Sequence, residues 1–272
     1  MKRERRPDVN KQESKLKGNL GLIENFIRKS RNLAALVIGA LILTLFALIL
    51  GLSLAPGVWL VLTIYHYMSG QTLFYQGLAC ALAIGFSFPM FIVSLIFIVP
   101  LFNKLLPLPV KAYRGPWYAL PTIGWYVHNS LTYLVRYTVL DLITPSPLNV
   151  LFFKMMGMKI GRNVMINTSN ISDPCLIELG DHVTIGGSAT MMAHYGMDGY
   201  LVIDKLVIGK RSMVGLKASL FGGVTIGENS MIAPGAIVYP KTIIGDDIKF
   251  GYRQDFAAAP QEGKTSFGGE DI

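Results

Sequence analysis

The sequence predicts an α-helical membrane hairpin followed by an all-β parallel β-helix. Three observations predict it. Residues 32–103 contain no Asp, Glu, Lys or Arg. Aliphatic residues recur at every sixth position from Ile208 to Ile244. Only 15% of the 272 residues are charged and the mean hydropathy is +0.44, whereas soluble domains carry roughly 25% charge. The same figures exclude a disordered chain, which needs low hydrophobicity and high charge.

The segment 1–31 is basic, with ten Lys/Arg against four acids. Placed before a long apolar run, it reads as a cytoplasmic N-terminal segment. Its mixed charge, and the length of the run behind it, fit a cleaved signal peptide poorly.

Residues 32–103 are long enough for two spans, since about 20 apolar residues cross the hydrocarbon core. The spans are about 33–54 and 72–99. Pro56-Gly57 is expected to break the first, and Ser69-Gly70-Gln71 to turn before the second. Trp59, Tyr65 and Tyr67 lie between them, as interfacial aromatics do. Lys104, Lys111 and Arg114 follow the second span without an acid among them. Both flanks are therefore expected in the cytoplasm, making this an integral protein of the cytoplasmic membrane with the C-terminal half inside.

Residues 104–150 form an amphipathic linker. Within 116–143, Trp117, Trp125, Tyr126, Tyr133, Leu134, Tyr137, Leu140 and Ile143 alternate with His128, Arg136 and Asp141. The pattern predicts a helix lying at the membrane interface. A third span is the competing reading. It would bury Arg136 at a cost near ~3 kcal/mol and move the C-terminal half outside.

Residues 151–250 carry the repeat. Ile208, Val214, Leu220, Ile226, Ile232, Val238 and Ile244 keep the beat, with Gly209, Gly215, Gly227 and Gly245 next in line. Earlier stretches are Leu179, Ile185 and Met191, and Ile160 and Ile166. A period of six is neither a strand's 2 nor a helix's 3.6; it is the hexapeptide β-helix signature. Three hexapeptides close a triangular coil of about 18 residues with the aliphatics inside. Glycine beside each turn is expected to supply a positive φ. The phase slips twice. Ile166 to Leu179 is 13 residues and Ile185 to Ile208 is 23. The second slip contains His194, in a loop leaving a regular solenoid, where chemistry concentrates. Residues 251–272 read as a cap and frayed tail.

The net charge of +8 sits around the apolar run, while 151–272 has eleven Lys/Arg against twelve acids. No nucleic-acid partner is expected. Cys80 and Cys175 are too few for a disulfide framework or a paired-cysteine metal site. No phosphate-binding glycine loop or serine nucleophile elbow is present.

The repeat, with one loop histidine before a long uninterrupted run, resembles the left-handed β-helix hexapeptide acyltransferases. The stretches Pro145-Ser146-Pro147-Leu148-Asn149 and Lys154-Met155-Met156-Gly157-Met158-Lys159-Ile160-Gly161-Arg162 behind membrane segments look like the acyltransferase-like module at the C-terminus of polylysine-synthetase-like peptide synthetases. The resemblance implies the left hand of the β-helix and an acetyl or acyl group moved from acyl-coenzyme A to a hydroxyl or amine. It also implies a homotrimer, with acetyl-coenzyme A lying in a groove between two prisms. The membrane hairpin points to a membrane-proximal small-molecule or glycan acceptor.

In that family the loop histidine is the general base, and His194 occupies its place. Asp173 and Asp198 are candidates to orient its ring. Asp173 lies 21 residues before it, close to one coil. Each also reads as an ordinary turn aspartate. For the donor, the resemblance points to Gly215-Leu216 near the thioester arm and to Pro234-Gly235 lining the groove, while Lys241, or alternatively Lys210-Arg211, is a candidate by charge for the coenzyme A phosphates. The threonine-lysine pair of soluble relatives is replaced by Tyr239-Pro240. No metal is expected: β-helix carbonic anhydrases need three histidines, and the repeat half has only His182 and His194. The alternatives are a non-catalytic membrane-tethered scaffold and a partner subunit of a synthetase.

Overall fold

The computed structural model describes residue 14 and residues 16–252. Residues 1–13 and 15 of the basic N-terminal segment, and the expected tail beyond 252, lie outside the described residues. The chain begins with α1 (Gly18–Lys29), then α2 (Arg31–Tyr67) and α3 (Leu73–Leu105). α2 and α3 are long and apolar enough to cross a membrane. Both present most of their apolar side chains outward, Leu43, Trp59 and Phe86 among them.

α2 runs through Pro56-Gly57, contrary to the sequence expectation. Apolar helices tolerate proline where neighbours satisfy the freed backbone. Here the neighbour is close: a Cβ on Gly57 would lie 2.5 Å from Ser87 Cβ of α3. Small residues permit that approach of two backbones. The turn falls at 68–72, over the expected Ser69-Gly70-Gln71, so Trp59, Tyr65 and Tyr67 belong to α2.

β1 (Tyr113–Gly115) and α4 (Leu120–Arg136) follow. α5 (Pro147–Met155) is capped by Ser146, whose hydroxyl accepts from Leu148 N. The buried face of α4 holds Trp125, Leu131, Leu134 and Val135. This apolar stripe, expected to face a membrane surface, is consumed inside the protein. Phe152 and Phe153 of α5 are fully buried in the same continuous core as the β-helix interior.

The β-helix follows in coils. The first has β2 (Lys159–Ile160), β3 (Met165–Ile166) and β4 (Ile171–Ser172). The second has β5 (Ile177–Leu179), β6 (Thr184–Ile185) and β7 (Thr190–Met192). A hairpin of β8 (His194–Met197) and β9 (Tyr200–Ile203) then leaves the prism. The third coil has β10 (Leu206–Ile208), β11 (Met213–Val214) and β12 (Ser219–Leu220). The fourth has β13 (Thr225–Ile226), β14 (Met231–Ile232) and β15 (Ile237–Val238). β16 (Ile243–Ile244) and β17 (Lys249–Phe250) begin a fifth.

Corresponding strands pair in parallel and make three faces. Leu179, Ile208, Ile226 and Ile244 stack on the first face. Ile166, Ile185, Val214 and Ile232 stack on the second. Met191, Leu220 and Val238 stack on the third. The six-residue beat is therefore an inward ladder on every face.

The repeat glycines act differently from the expectation. Gly209, Gly215 and Gly227 are not in the left-handed region; Arg211, Lys217 and Asn229, two residues on, hold it with φ 58, 55 and 52°. The glycines are demanded by stacking. A Cβ on Gly209 would lie 2.5 Å from Gly227 C, and one on Gly215 2.5 Å from Pro234 N. Gly245, above which no coil stacks among the described residues, has nothing within 4 Å of a built Cβ.

Candidate functional site

Both slips of the repeat fall at one corner of the prism, where the third face hands over to the first. In the first coil, β4 ends at Ser172 and Asp173 turns the chain with φ 60°. In the second, β7 ends at Met192, and the hairpin leaves between Ala193 and Asp204, whose N–H donates to Ala193 O at 2.9 Å. Because Ser172 is in register with Met192, Asp173 lies beneath the root of the hairpin. That places it one coil below His194.

The two side chains meet. His194 Nδ1 lies 2.5 Å from Asp173 Oδ2, with the His194 side chain 17% exposed and that of Asp173 fully buried. An ionised carboxylate only accepts, so in such a pair the imidazole Nδ1 is the donor. Burying a carboxylate is costly unless donors surround it. α4 supplies them. Trp125 Nε1 donates to Asp173 Oδ1 at 2.7 Å and Asn129 Nδ2 donates at 2.5 Å. Asp173 N donates back to Asn129 Oδ1 at 3.2 Å. The Trp125 ring also meets the His194 ring edge to face, with centroids 4.9 Å apart.

The rest of α4 follows the same track. Tyr133 shares a hydrogen bond with Ser172 and Arg136 donates to Asn170. One stripe, at 125, 129, 133 and 136, is thus spent on the chain segment 170–173. β9 pairs on its outer edge with β1, and a Cβ on Gly196 would touch Trp117 at 3.3 Å. Trp117, Trp125 and Tyr126 form a run of edge-on aromatic contacts beside the imidazole.

Two titratable groups nearby have no part in the dyad. Burial, then the charge of Asp173, pushes the Cys175 thiol up to about 12, so it stays protonated and inert. Burial pulls His128 down to about 4 against the opposing pull of Asp173. Its Nδ1 meets Asn103 Oδ1 at 2.9 Å, and its Nε2 is buried without a partner among the described residues.

The other expected site residues are placed as follows. Asp198 sits at the exposed tip of the hairpin with φ 51°, beside Gly199 at φ 81°. It is a turn residue, and the ring's carboxylate partner is Asp173. Leu216, Pro234 and Gly235 are exposed at the corner between the second and third faces, with Gly235 N donating to Leu216 O at 2.7 Å. Gly215, at the same corner, is buried and explained by stacking. Lys241 is exposed and follows β15, at the corner His194 occupies. The expected donor-binding residues therefore flank the third face from its two ends. His182 is exposed. No cluster of three or more metal-binding side chains occurs among the described residues.

The sequence reading missed Trp125 and Asn129. Their i, i+4 spacing is visible, but the carboxylate that they serve is 44 to 48 residues away.

The family model described as the hexapeptide repeat of succinyl-transferase matches residues 205–240. The chain is 26% identical over 212 residues to a delta-poly-L-ornithine synthetase of Acinetobacter baumannii (strain AB307-0294), covering 75% of this chain and 16% of that protein. It is 25% identical over 125 residues to YvoF of Bacillus subtilis (strain 168), provisionally named an acetyltransferase, covering 42% of this chain and 73% of that one. A maltose O-acetyltransferase structure from Clostridium difficile 630 aligns at 18% identity with a TM-score of 0.33, over 50% of this chain and 89% of that one. The chain spans about a sixth of the length of the first of these relatives. The three-faced repeat and the family model over residues 205–240 make the C-terminal half a hexapeptide-repeat β-helix, and the two sequence relatives make the chain similar to hexapeptide-repeat acyltransferases.

Proposed function

We propose that this protein is a membrane-anchored acyltransferase that moves an acetyl or short acyl group from acyl-coenzyme A to a hydroxyl or amine. The observation that carries the proposal is the buried pair of His194 and Asp173, 2.5 Å apart and held by two donors from outside the repeat. A histidine with its Nδ1 proton fixed by a carboxylate presents Nε2 as a base. Nε2 takes the proton of the acceptor as its oxygen or nitrogen attacks the thioester carbonyl. The tetrahedral oxyanion needs donors, which backbone N–H groups at the coil turns supply. The same imidazolium returns its proton as the carbon–sulfur bond breaks and the thiol leaves.

The placement of the donor residues favours a shared site. Leu216, Pro234 and Gly235 lie at one end of the third face, His194 and Lys241 at the other. Exposed Leu216, Ile237 and Tyr239 line that face with apolar surface. Packing copies around a threefold axis brings one end of this face against the opposite end of its neighbour. Acyl-coenzyme A then lies between two copies, with the Lys241 ammonium free to meet phosphate. α2 and α3 anchor the assembly, and the acceptor is a membrane-proximal glycan or lipid-linked sugar, reached beside Trp117 and Tyr126.

The test uses the full chain in lipid nanodiscs with acetyl-coenzyme A, reading thiol release and transfer to a glycan acceptor. His194→Ala should lower the rate by roughly 10²–10⁴-fold, the usual worth of a positioned base. Coenzyme A at 100 times its Kd should add about 2.7 kcal/mol of thermal stability. Equal rates for wild type and variant would remove His194 from the chemistry. Loss of saturable stabilisation as well would leave a scaffold.

A further inference from the structure

α1 is amphipathic the wrong way round for a helix in water. Gly21, Glu24 and Ile27, at i, i+3 and i+6, form its buried face. Leu22, Ile23 and Phe26, at i, i+1 and i+4, form the opposite face and are 68, 48 and 52% exposed. The inward face carries a carboxylate beside Gly21 and Ile27, and the outward face carries three large apolar side chains.

The inward carboxylate has a structural purpose. Glu24 Oε2 accepts from Leu120 N at 3.2 Å, the first residue of α4, while Oε1 pairs with Arg28 at 2.5 Å. A negative charge at a helix N-terminus meets the positive end of its dipole. Arg31, which opens α2, lies over the Tyr118 ring just ahead of α4. α1 and α2 therefore grip the start of the helix whose middle holds Asp173.

The outward face has no such partner among the described residues. One residue, Ser30, separates α1 from α2, the first candidate span. With α2 as a span, a helix joined to it by one residue is held near that end of the span. Lys17 and Lys29 are exposed at its two ends, and basic residues beside an apolar face suit an anionic leaflet.

We propose that α1 is an interfacial helix whose Leu22–Ile23–Phe26 face is sunk into the acyl-chain boundary of an anionic leaflet, while its Glu24 face docks α4. The inference rests on the membrane-anchored reading above. Through Glu24 and α4, α1 then fixes the height of the His194–Asp173 pair above the membrane. That favours an acceptor presented at the bilayer surface over one free in solution.

The experiment is spin labelling of the full chain in nanodiscs of phosphatidylcholine with phosphatidylglycerol, after Cys80→Ala and Cys175→Ala. Labels are placed singly by Leu22→Cys, Ile23→Cys and Phe26→Cys. Leu43→Cys, on the outward face of α2, reports the span, and Lys210→Cys, on an exposed coil turn, reports water. The expected result is a severalfold higher ratio of oxygen to nickel-chelate collisions at 22, 23 and 26 than at 210, approaching that at 43. Free nickel access at 22, 23 and 26, with 43 still lipid-exposed, overturns the inference and leaves the membrane anchor standing. Shielding of 22, 23 and 26 from both agents also overturns it, because a protein then covers the face. Nickel access at 43 as well overturns the anchor itself, and the inference with it.

Discussion

The Asp173 carboxylate shows how much support one buried charge needs. It is fully buried, yet each of its oxygens has a donor. Hydrogen bonds to a charged group are worth roughly 1.5–3 kcal/mol each, and a lost donor leaves desolvation uncompensated. Trp125→Phe keeps the ring against His194 and removes only the Nε1 donor. It should lower kcat about tenfold with KM nearly unchanged, because Trp125 positions the dyad without touching substrate. An unchanged kcat in steady-state acyl transfer would make Trp125 a packing residue only. His128 offers a different readout. Its folded-state pKa of about 4 lies below the ordinary 6.5. Between these values the unfolded chain binds a proton that the folded chain refuses, so stability falls as pH drops from 6.5 toward 4. The loss is at most about 3 kcal/mol. His128→Gln should flatten that slope in thermal unfolding followed across the window; an equally steep slope would place the proton uptake elsewhere.

Among the elements, the coil is specified by what stacks on it. The inward aliphatics give each face its ladder, and the glycines let consecutive backbones approach. Gly209→Ala drives a Cβ to 2.5 Å from Gly227 C and should cost roughly 1–3 kcal/mol, as overpacking does. Gly245→Ala meets nothing within 4 Å and should stay within about 0.5 kcal/mol of wild type. Comparing the two melting temperatures checks the assignment; equal losses would mean that conformational freedom is what the glycines supply. α4 is the element whose face the sequence pattern mispredicts. Its aromatic and aliphatic stripe resembles a membrane-surface helix, because protein and lipid reward the same apolar residues. Polar members such as Asn129 and the Trp125 indole N–H distinguish the two, and their partner is remote in sequence.

At the scale of the whole molecule, the proposal places the site between neighbouring copies of the chain. If the ends of the third face meet across neighbouring copies, Leu216→Glu inactivates by spoiling the donor end and His194→Ala by spoiling the base. Co-expression of the two variants should then restore about a quarter of wild-type activity, since that share of neighbouring pairs joins two intact halves. No recovery in the purified mixture would confine the site to one copy.

The sequence by itself determined the apolar hairpin, the coiled β architecture and the corner where the repeat is interrupted beside His194. These are periodic or compositional properties: a charge-free run and a six-residue beat repeat often enough to be read without knowing any long-range contact. It also singled out His194 and Asp173, because a coil converts a separation of 21 residues into adjacency. Between Asp173 and Asp198 only the tertiary structure decided, since the hairpin carries Asp198 outward to its tip while the parallel register sets Asp173 beneath the imidazole. The donors from α4 and the outward-facing apolar side of α1 were likewise decided there. A helix's pattern says which of its faces are apolar, but only packing says which face meets protein and which is left for the bilayer.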